Sequence, residues 1–190
     1  MKEVQLTNSF LTLRPYKPTD MAKMFSAVRE SFHELSPWMP WCHDDYSIED
    51  SKNWIELSAK NWNQENEYNF AITDSKDGSY LGGCGLNHIN SIDRWANLGY
   101  WVRSSRVNHG IATSATLLLS QFGFRELEFN RIEIVVAVEN KTSQRVAEKV
   151  GAKQEGIMRN RLLLHDKLHD AVLFSLIPTD NMMSSKELTT

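Results

Sequence analysis

Apolar residues along this chain fall into strand-like and helix-like spacings that break at polar, glycine or proline positions, and each break marks an element. Leu6–Leu13 predicts a first strand, stopped by Pro15. Thr19 or Asp20 can cap a helix whose apolar positions include Met21, Met24, Phe25 and Val28. Pro37-Trp38-Met39-Pro40-Trp41 cannot continue a helix and reads as a rigid aromatic loop. Ser47, with Asp50 three positions on, resembles a capping box for a second helix carrying Ile48, Trp54, Ile55 and Leu57. Three extended segments follow, Tyr68–Thr73, Tyr80–Ile89 and Trp95–Val102, with the turn signal Asp77-Gly78 between the first two. In the third, Ala96, Leu98, Tyr100 and Val102 share one face, and Asn97, Gly99 and Trp101 share the other.

Helical spacing returns at Ile111, Ala115, Leu118, Leu119 and Phe122. The β-branched run Ile132–Val138 predicts a strand covered on both faces. A short helix with Val146, Ala147 and Val150 ends at Gly151, a natural left-handed terminator. Two apolar runs, Ile157–Leu164 and Ala171–Ile177, close the pattern around the polar turn His165-Asp166-Lys167. Strand, two helices, three strands, helix, strand, helix and two strands describe an α+β or α/β sheet with helices on its faces. One domain over residues 1–178 is expected, with 179–190 as a polar, flexible tail.

Composition narrows this picture only modestly. An apolar fraction of 41% and a charged fraction of 24% over 190 residues fit an ordinary soluble domain. No apolar run reaches the length of a membrane span, and the first residues lack the long apolar stretch of a secretory signal. Cys42 and Cys84 stand apart without metal-ligand spacing, which suits a reducing compartment and a cytoplasmic location. A net charge of −3 argues against a nucleic-acid footprint.

The stretch from Gly99 to Thr113 carries the candidate chemistry. A strand leads through a short loop into a long helix at about Gly110. The first helical amides lack internal partners, and the helix dipole adds partial positive charge there. Backbone alone can hold a phosphate at such a place. Gly110 and Ala112 leave clearance, Thr113 adds a hydroxyl, and Arg103, Arg106 and His109 stand near enough in sequence to screen further phosphate charge. The loop is neither a Walker P-loop nor a dinucleotide fingerprint.

In order along the chain stand Leu13-Arg14-Pro15, Pro37-Trp38-Met39-Pro40-Trp41, Gly99-Tyr100-Trp101, Gly110-Ile111-Ala112-Thr113, Asn130-Arg131, Glu139-Asn140-Lys141-Thr142-Ser143 and Glu155-Gly156. With these words the chain resembles the GNAT acetyltransferases, specifically the ribosomal-protein N-terminal acetyltransferase branch typified by RimJ and RimL. The resemblance spans about Leu11 to Ile177. It implies the GNAT fold: a mixed, mostly antiparallel sheet, splayed between Trp95–Val102 and Arg131–Val138, with helices on both faces. It implies acetyl-CoA as cosubstrate, no metal, and direct transfer to an amine in a ternary complex. Coenzyme A contacts fall by this resemblance on Trp101, Val102, Val107, Asn108, His109, Gly110, Ile111, Ala112, Thr113, Asn140 and Ser143, with the pyrophosphate on the amides of 107–112.

The resemblance also places Asn140 on the pantetheine arm and Ser143 near the sulfur, where its hydroxyl suits proton donation to the departing thiolate. Trp38, Trp41 and Asn87 are expected on the acceptor side. The family's first loop position, Gln or Arg, is Val107 here, and a position commonly glycine is Asn108, which tolerates a left-handed backbone. Weakened, not abolished, cofactor binding is the expectation. An acid found in relatives is replaced by Asn97, and a second by Leu162. The remaining candidate bases are His88, Glu133, His169 and Asp170, of which His88 is taken with Ser143 as the catalytic pair. Cys84 reads as a buried inert thiol, and His165 and His169 flank a turn, which does not suit a metal site. The acceptor is expected to be a protein N-terminus, plausibly ribosomal, because an α-amine of pKa about 7.7–8.0 is already partly neutral at neutral pH. Small amines such as a polyamine, amino acid or antibiotic, and a non-enzymatic acyl-CoA-binding role, are the alternatives. The resemblance leaves a homodimer open.

Overall fold

Asn8 folds the first apolar run back on itself. Its carboxamide oxygen accepts from the amides of Phe10 at 3.1 Å and Leu11 at 3.0 Å, a local side-chain turn that competes with strand continuation. The expected single strand is therefore two antiparallel ones, β1 Leu6–Thr7 and β2 Leu11–Pro15. The structure, a computed structural model, describes residues 4–180, so the polar tail expected over 179–190 lies outside them apart from its first two residues.

A 3-10 turn over Pro18–Asp20 leads into α1 Met21–Glu30, followed by the single turn α2 Phe32–Leu35. Asp20 does not cap α1 with its side chain. It is buried and chelated by the Arg14 guanidinium at 2.7 and 2.8 Å and by the Lys17 amide at 2.8 Å. Helix α3, Ile48–Asn63, begins with the expected capping box, in which the Ser47 amide donates to Asp50 Oδ2 at 2.8 Å. Ile55 faces the core, whereas Ile48 and Leu57, expected with it, are exposed.

The remaining elements are β3 Tyr68–Asp74, β4 Tyr80–Asn90, β5 Trp95–Val102, α4 Ile111–Arg125, β6 Arg131–Ala137, α5 Lys141–Lys149, β7 Lys153–Leu164 and β8 Lys167–Leu176. They form one open eight-stranded sheet in the order β1-β2-β3-β4-β5-β6-β8-β7. Every neighbouring pair is antiparallel except β5 and β6. That parallel pair holds only through Trp95↔Arg131, Ala96↔Ile132 and Asn97↔Glu133. Beyond Asn97 the two strands share no ladder, and the sheet splits into a wedge. This is the mixed, mostly antiparallel sheet, splayed in the middle and with helices on both faces, that the resemblance implies.

One face packs α4 and α5 over Leu13, Phe70, Leu86, Leu98, Ile132 and Ile134. The other packs α1 and its following loop over Ala71, Tyr80 and Trp101 through Met24, Val28 and Leu35. Burial along β6 alternates, with Ile132, Ile134 and Val136 inside and Arg131, Glu133 and Val135 partly open. The two-sided cover expected for this run is absent, because its β-branched residues sit beside the split, where no helix lies on the second face. Among the described residues no helix is long and apolar enough to cross a membrane.

Candidate active site

The loop after β5 is fastened at one end and open at the other. The Arg103 guanidinium pairs with Glu30, Nε to Oε2 at 3.1 Å, and also donates to the Tyr80 carbonyl at 3.2 Å. The Ser104 amide donates to Ser31 Oγ at 2.8 Å and the Ser105 amide to Glu30 Oε1 at 2.9 Å. With Arg103 as the main cause, the Glu30 carboxyl is held down at about 2. Arg103 is thus engaged with α1 and is not the phosphate screen that its sequence position suggested.

Past this anchor, Asn108 at φ 65° and Gly110 at φ 73° turn the chain into α4. Both angles are left-handed, which glycine adopts freely and asparagine tolerates. The first helical bond is from the Ser114 amide to the Gly110 carbonyl at 2.9 Å. Among the described residues, the amides from Asn108 to Thr113 have no hydrogen-bond partner. The His109 ring donates through Nδ1 to the Val107 carbonyl at 2.8 Å, and Val107 through Gly110 are exposed. The β1–β2 turn braces the first helical turn, with Asn8 Nδ2 at 2.5 Å from Ser114 Oγ. Open amides at the start of a 15-residue helix fit a pyrophosphate, so the residues here suit coenzyme A.

The wedge between β5 and β6 is bridged by side chains. Tyr100 OH lies 2.9 Å from Ser143 Oγ and 3.0 Å from the Ser143 carbonyl. Burial pushes the Tyr100 phenol up to about 12, so it stays protonated. When Tyr100 donates to Ser143 Oγ, the serine proton is free to point into the wedge. Asn140 Oδ1 accepts from the Ser143 amide at 3.1 Å and caps α5; among the described residues its Nδ2 has no hydrogen-bond partner. Gln144 Nε2 ties the helix back to the carbonyls of Ala137 and Val138 at 3.1 and 2.8 Å. Tyr100 is absent from the sequence-based candidates. Its signal was a lone hydroxyl on the core-facing side of β5, since a buried tyrosine must find a partner for its OH.

On the opposite face, a cleft of about 380 Å³ lies between β3–β5 and the roof made by α1, α3 and the loop around Trp41. Of the residues expected on the acceptor side, Trp41 and Asn87 line this cleft and Trp38 does not. The Trp101 side chain also belongs to this cleft, with its ring 5.9 Å from those of Trp41 and Tyr80. Only the backbone of Trp101 and the half-buried Val102 remain beside the wedge. Asn97 Nδ2 donates to Asn87 Oδ1 at 2.9 Å, while Asn97 Oδ1 is buried without a partner.

None of the four candidate bases lines the cleft. His88 sits at φ 49° in the β4–β5 register shift and is exposed. That left-handed bulge breaks the strand alternation from which a cleft-facing histidine would follow. Glu133 accepts from Arg131 Nε at 2.9 Å, Asp170 accepts from the Asn160 amide at 2.8 Å, and His169 lies 3.8 Å from Glu139. His165 Nε2 reaches the Ser36 carbonyl at 2.7 Å, so the two histidines serve different partners. Among the described residues no cluster of His, Cys, Asp and Glu could hold a metal ion. Cys84 is buried, and burial pushes its thiol far up.

Residues 11–153 match the family described as Acetyltransferase (GNAT) domain. The Bacillus subtilis (strain 168) protein named "Putative ribosomal N-acetyltransferase YdaF" is 28% identical over 172 residues, covering 90% of this chain and 92% of its own. The structure of "a putative ribosomal-protein-serine acetyltransferase from Vibrio cholerae" superposes with a TM-score of 0.79 at 26% identity, over 92% of this chain and 98% of that one. RimL, the ribosomal L7/L12 α-N-protein acetyltransferase in complex with coenzyme A, shares the fold with a TM-score of 0.84 at 20% identity, over 92% and 98% of the two chains.

Proposed function

This chain belongs to the GNAT acetyltransferases and is an acetyl-CoA-dependent N-acetyltransferase, and we propose that its acceptor is the α-amino group of a protein N-terminus. Acetyl-CoA, the cosubstrate, supplies an acetyl group activated as a thioester. The amides of 108–113 hold the pyrophosphate, and Trp101, Val102 and Asn140 border the path of the pantetheine arm. The amine nitrogen bonds to the thioester carbon and the carbon–sulfur bond breaks; Ser143, oriented by its Asn140 cap and by Tyr100, gives a proton to the leaving thiolate, Tyr100 OH passes its proton to the serine oxygen, and the proton shed by the acetylated nitrogen returns through water to restore the phenol. Transfer is direct, with both substrates bound. A cytoplasmic location suits this chemistry and the two unpaired cysteines.

The observation that carries the N-terminal reading is the state of the acceptor cleft's ionisable groups. Its one carboxylate, Asp50, accepts from the Ser47 amide at 2.8 Å and from Ser47 Oγ at 2.7 Å. His43 is exposed, its ring against Tyr46 at 6.1 Å, and the tyrosines Tyr16, Tyr46 and Tyr100 are all pushed up by burial. A cleft without an available strong base favours an amine that arrives neutral. About one α-amine in ten is neutral at pH 7, against fewer than about one lysine in a thousand. Placement and a water path then suffice. The names of the Bacillus and Vibrio relatives make ribosomal proteins the first acceptors to test.

Incubation with acetyl-CoA and unacetylated ribosomal proteins, followed by peptide mapping by mass spectrometry, tests this. Acetyl groups on N-terminal peptides are expected. Acetylation confined to lysine side chains, or to spermidine in a parallel reaction, would overturn the proposal.

A further inference from the structure

The acceptor cleft is walled by aromatic rings, and its polar groups are the carboxamides of Asn53, Asn69 and Asn87, tyrosine hydroxyls, His43 and the one carboxylate Asp50. Trp41, Tyr46, Trp54 and Trp101 line it together with Met24 and Met39. A volume of about 380 Å³ is within the range of small-ligand pockets and larger than a serine or alanine side chain needs. Gly99 lies on the floor, where an added Cβ would meet nothing within 4 Å, so the floor is open space.

One polar atom stands out in this cleft. Asn69 is 6% exposed, and its Nδ2 donates to Glu67 Oε2 at 3.0 Å, a carboxylate also held by Asn61 Nδ2 at 3.0 Å. That pairing fixes the carboxamide so that Oδ1 lies over Gly85, 2.2 Å from where a Cβ would stand. Glycine at 85 is what admits it. Among the described residues Asn69 Oδ1 accepts no hydrogen bond, and Asn69 lines the cleft. A ligand N–H can reach this fixed acceptor from the cleft.

Resting on the N-terminal reading above, we infer that the cleft selects an N-terminus whose first side chain is apolar. That side chain sits among Trp41, Trp54 and Trp101, while Asn69 Oδ1 accepts from a main-chain N–H of the peptide. A lysine or aspartate in first position, or a second ammonium of a polyamine, would lose hydration among the rings, and the cleft's one carboxylate, Asp50, is held in place by Ser47 at the start of α3. The attraction of ring faces for a cation offsets only part of that loss.

The test is kcat/KM at saturating acetyl-CoA for peptides that differ only in the first residue, with spermidine as a further acceptor. Peptides beginning with Phe, Leu or Met are expected to exceed those beginning with Ser, Asp or Lys by roughly ten- to a hundredfold. Trp41→Ala, at a ring that is already 37% exposed, should narrow that gap with acetyl-CoA affinity unchanged. Asn69→Ala should raise KM several-fold for every peptide and keep the ranking. Should that variant not fold, Gly85→Ala crowds the same carboxamide and should do likewise. A flat or reversed ranking overturns the inference and leaves N-terminal acetylation standing. Unchanged KM in both Asn69→Ala and Gly85→Ala overturns the role of Asn69. Turnover of spermidine with no turnover of any peptide overturns the N-terminal reading and this inference together.

Discussion

Tyr100→Phe removes one oxygen from the wedge and nothing else. The ring stays packed on the core-facing side of β5, but the contacts at 2.9 Å to Ser143 Oγ and 3.0 Å to the Ser143 carbonyl are lost. Each hydrogen bond is worth about 1 kcal/mol net, so stability should fall by about 1–2 kcal/mol. For a domain of this size that lowers Tm by roughly 2–8 °C. The effect on turnover has a different origin. Without Tyr100, Ser143 keeps its hydroxyl but loses its orienting and proton-resupplying partner, and kcat should drop roughly five- to tenfold. Released coenzyme A thiol, measured continuously with a disulfide reagent, reports kcat, while calorimetry reports acetyl-CoA affinity, which should hold. The phenol is pushed up to about 12 by burial, so it is protonated throughout the working range. The ratio of wild-type to variant rates should therefore be flat between about pH 6.5 and 9. A kcat within twofold of wild type, with Tm lowered as expected, would make the Tyr100–Ser143 contact a structural tie and remove it from the reaction.

Two further outcomes follow from the loop and from the ion pairs. Gly110→Glu places a side chain where a Cβ meets nothing, so the core is untouched, but the left-handed φ of 73° costs about 1 kcal/mol. Its carboxylate also competes for the amides of 108–113. Acetyl-CoA Kd should rise more than roughly tenfold with a modest loss of Tm, and an unchanged Kd would remove the pyrophosphate from this loop. The second outcome concerns acid. Glu30 beside Arg103, and Glu155 beside Arg131 and Ser175, are both held down at about 2. Their folded pKa values lie below the unfolded ones, so their stabilisation is complete above the ordinary glutamate range and is lost as pH falls from about 4.5 towards about 2. Glu155→Gln should flatten the fall of Tm across that window only modestly, since the pair is near the surface; an unaltered slope would show that the pair contributes nothing.

Signals carried by a few adjacent residues were legible in the chain. Ser47 and Asp50 marked the start of α3, Gly110 the start of α4 and Gly151 the end of α5, because a cap or a positive φ is a local demand. The alternation in Trp95–Val102 placed Tyr100 and Trp101 on opposite faces, and the ordered family words marked the loop proposed to hold the cofactor. The break at Asn8 was also local, yet it was hidden by apolar neighbours that alternate as a single strand would.

Contacts between distant segments were beyond reach. Whether Arg103 screens a phosphate or holds α1 depends on Glu30, which lies 73 residues away. Tyr100 meets Ser143 across 43 residues only because β5 and β6 part after Asn97. Asn69 became a candidate when Glu67 fixed its carboxamide and Gly85 cleared room for it. By itself the sequence determined most of the elements, their order and the loop-to-helix junction proposed to hold the pyrophosphate, since propensity, capping and periodicity act within a turn or two of chain. The tertiary structure decided which charges are paired, which hydroxyls meet, and that the cleft beneath α1 and α3 has aromatic walls. Those properties depend on distances through space, which the order of residues does not specify.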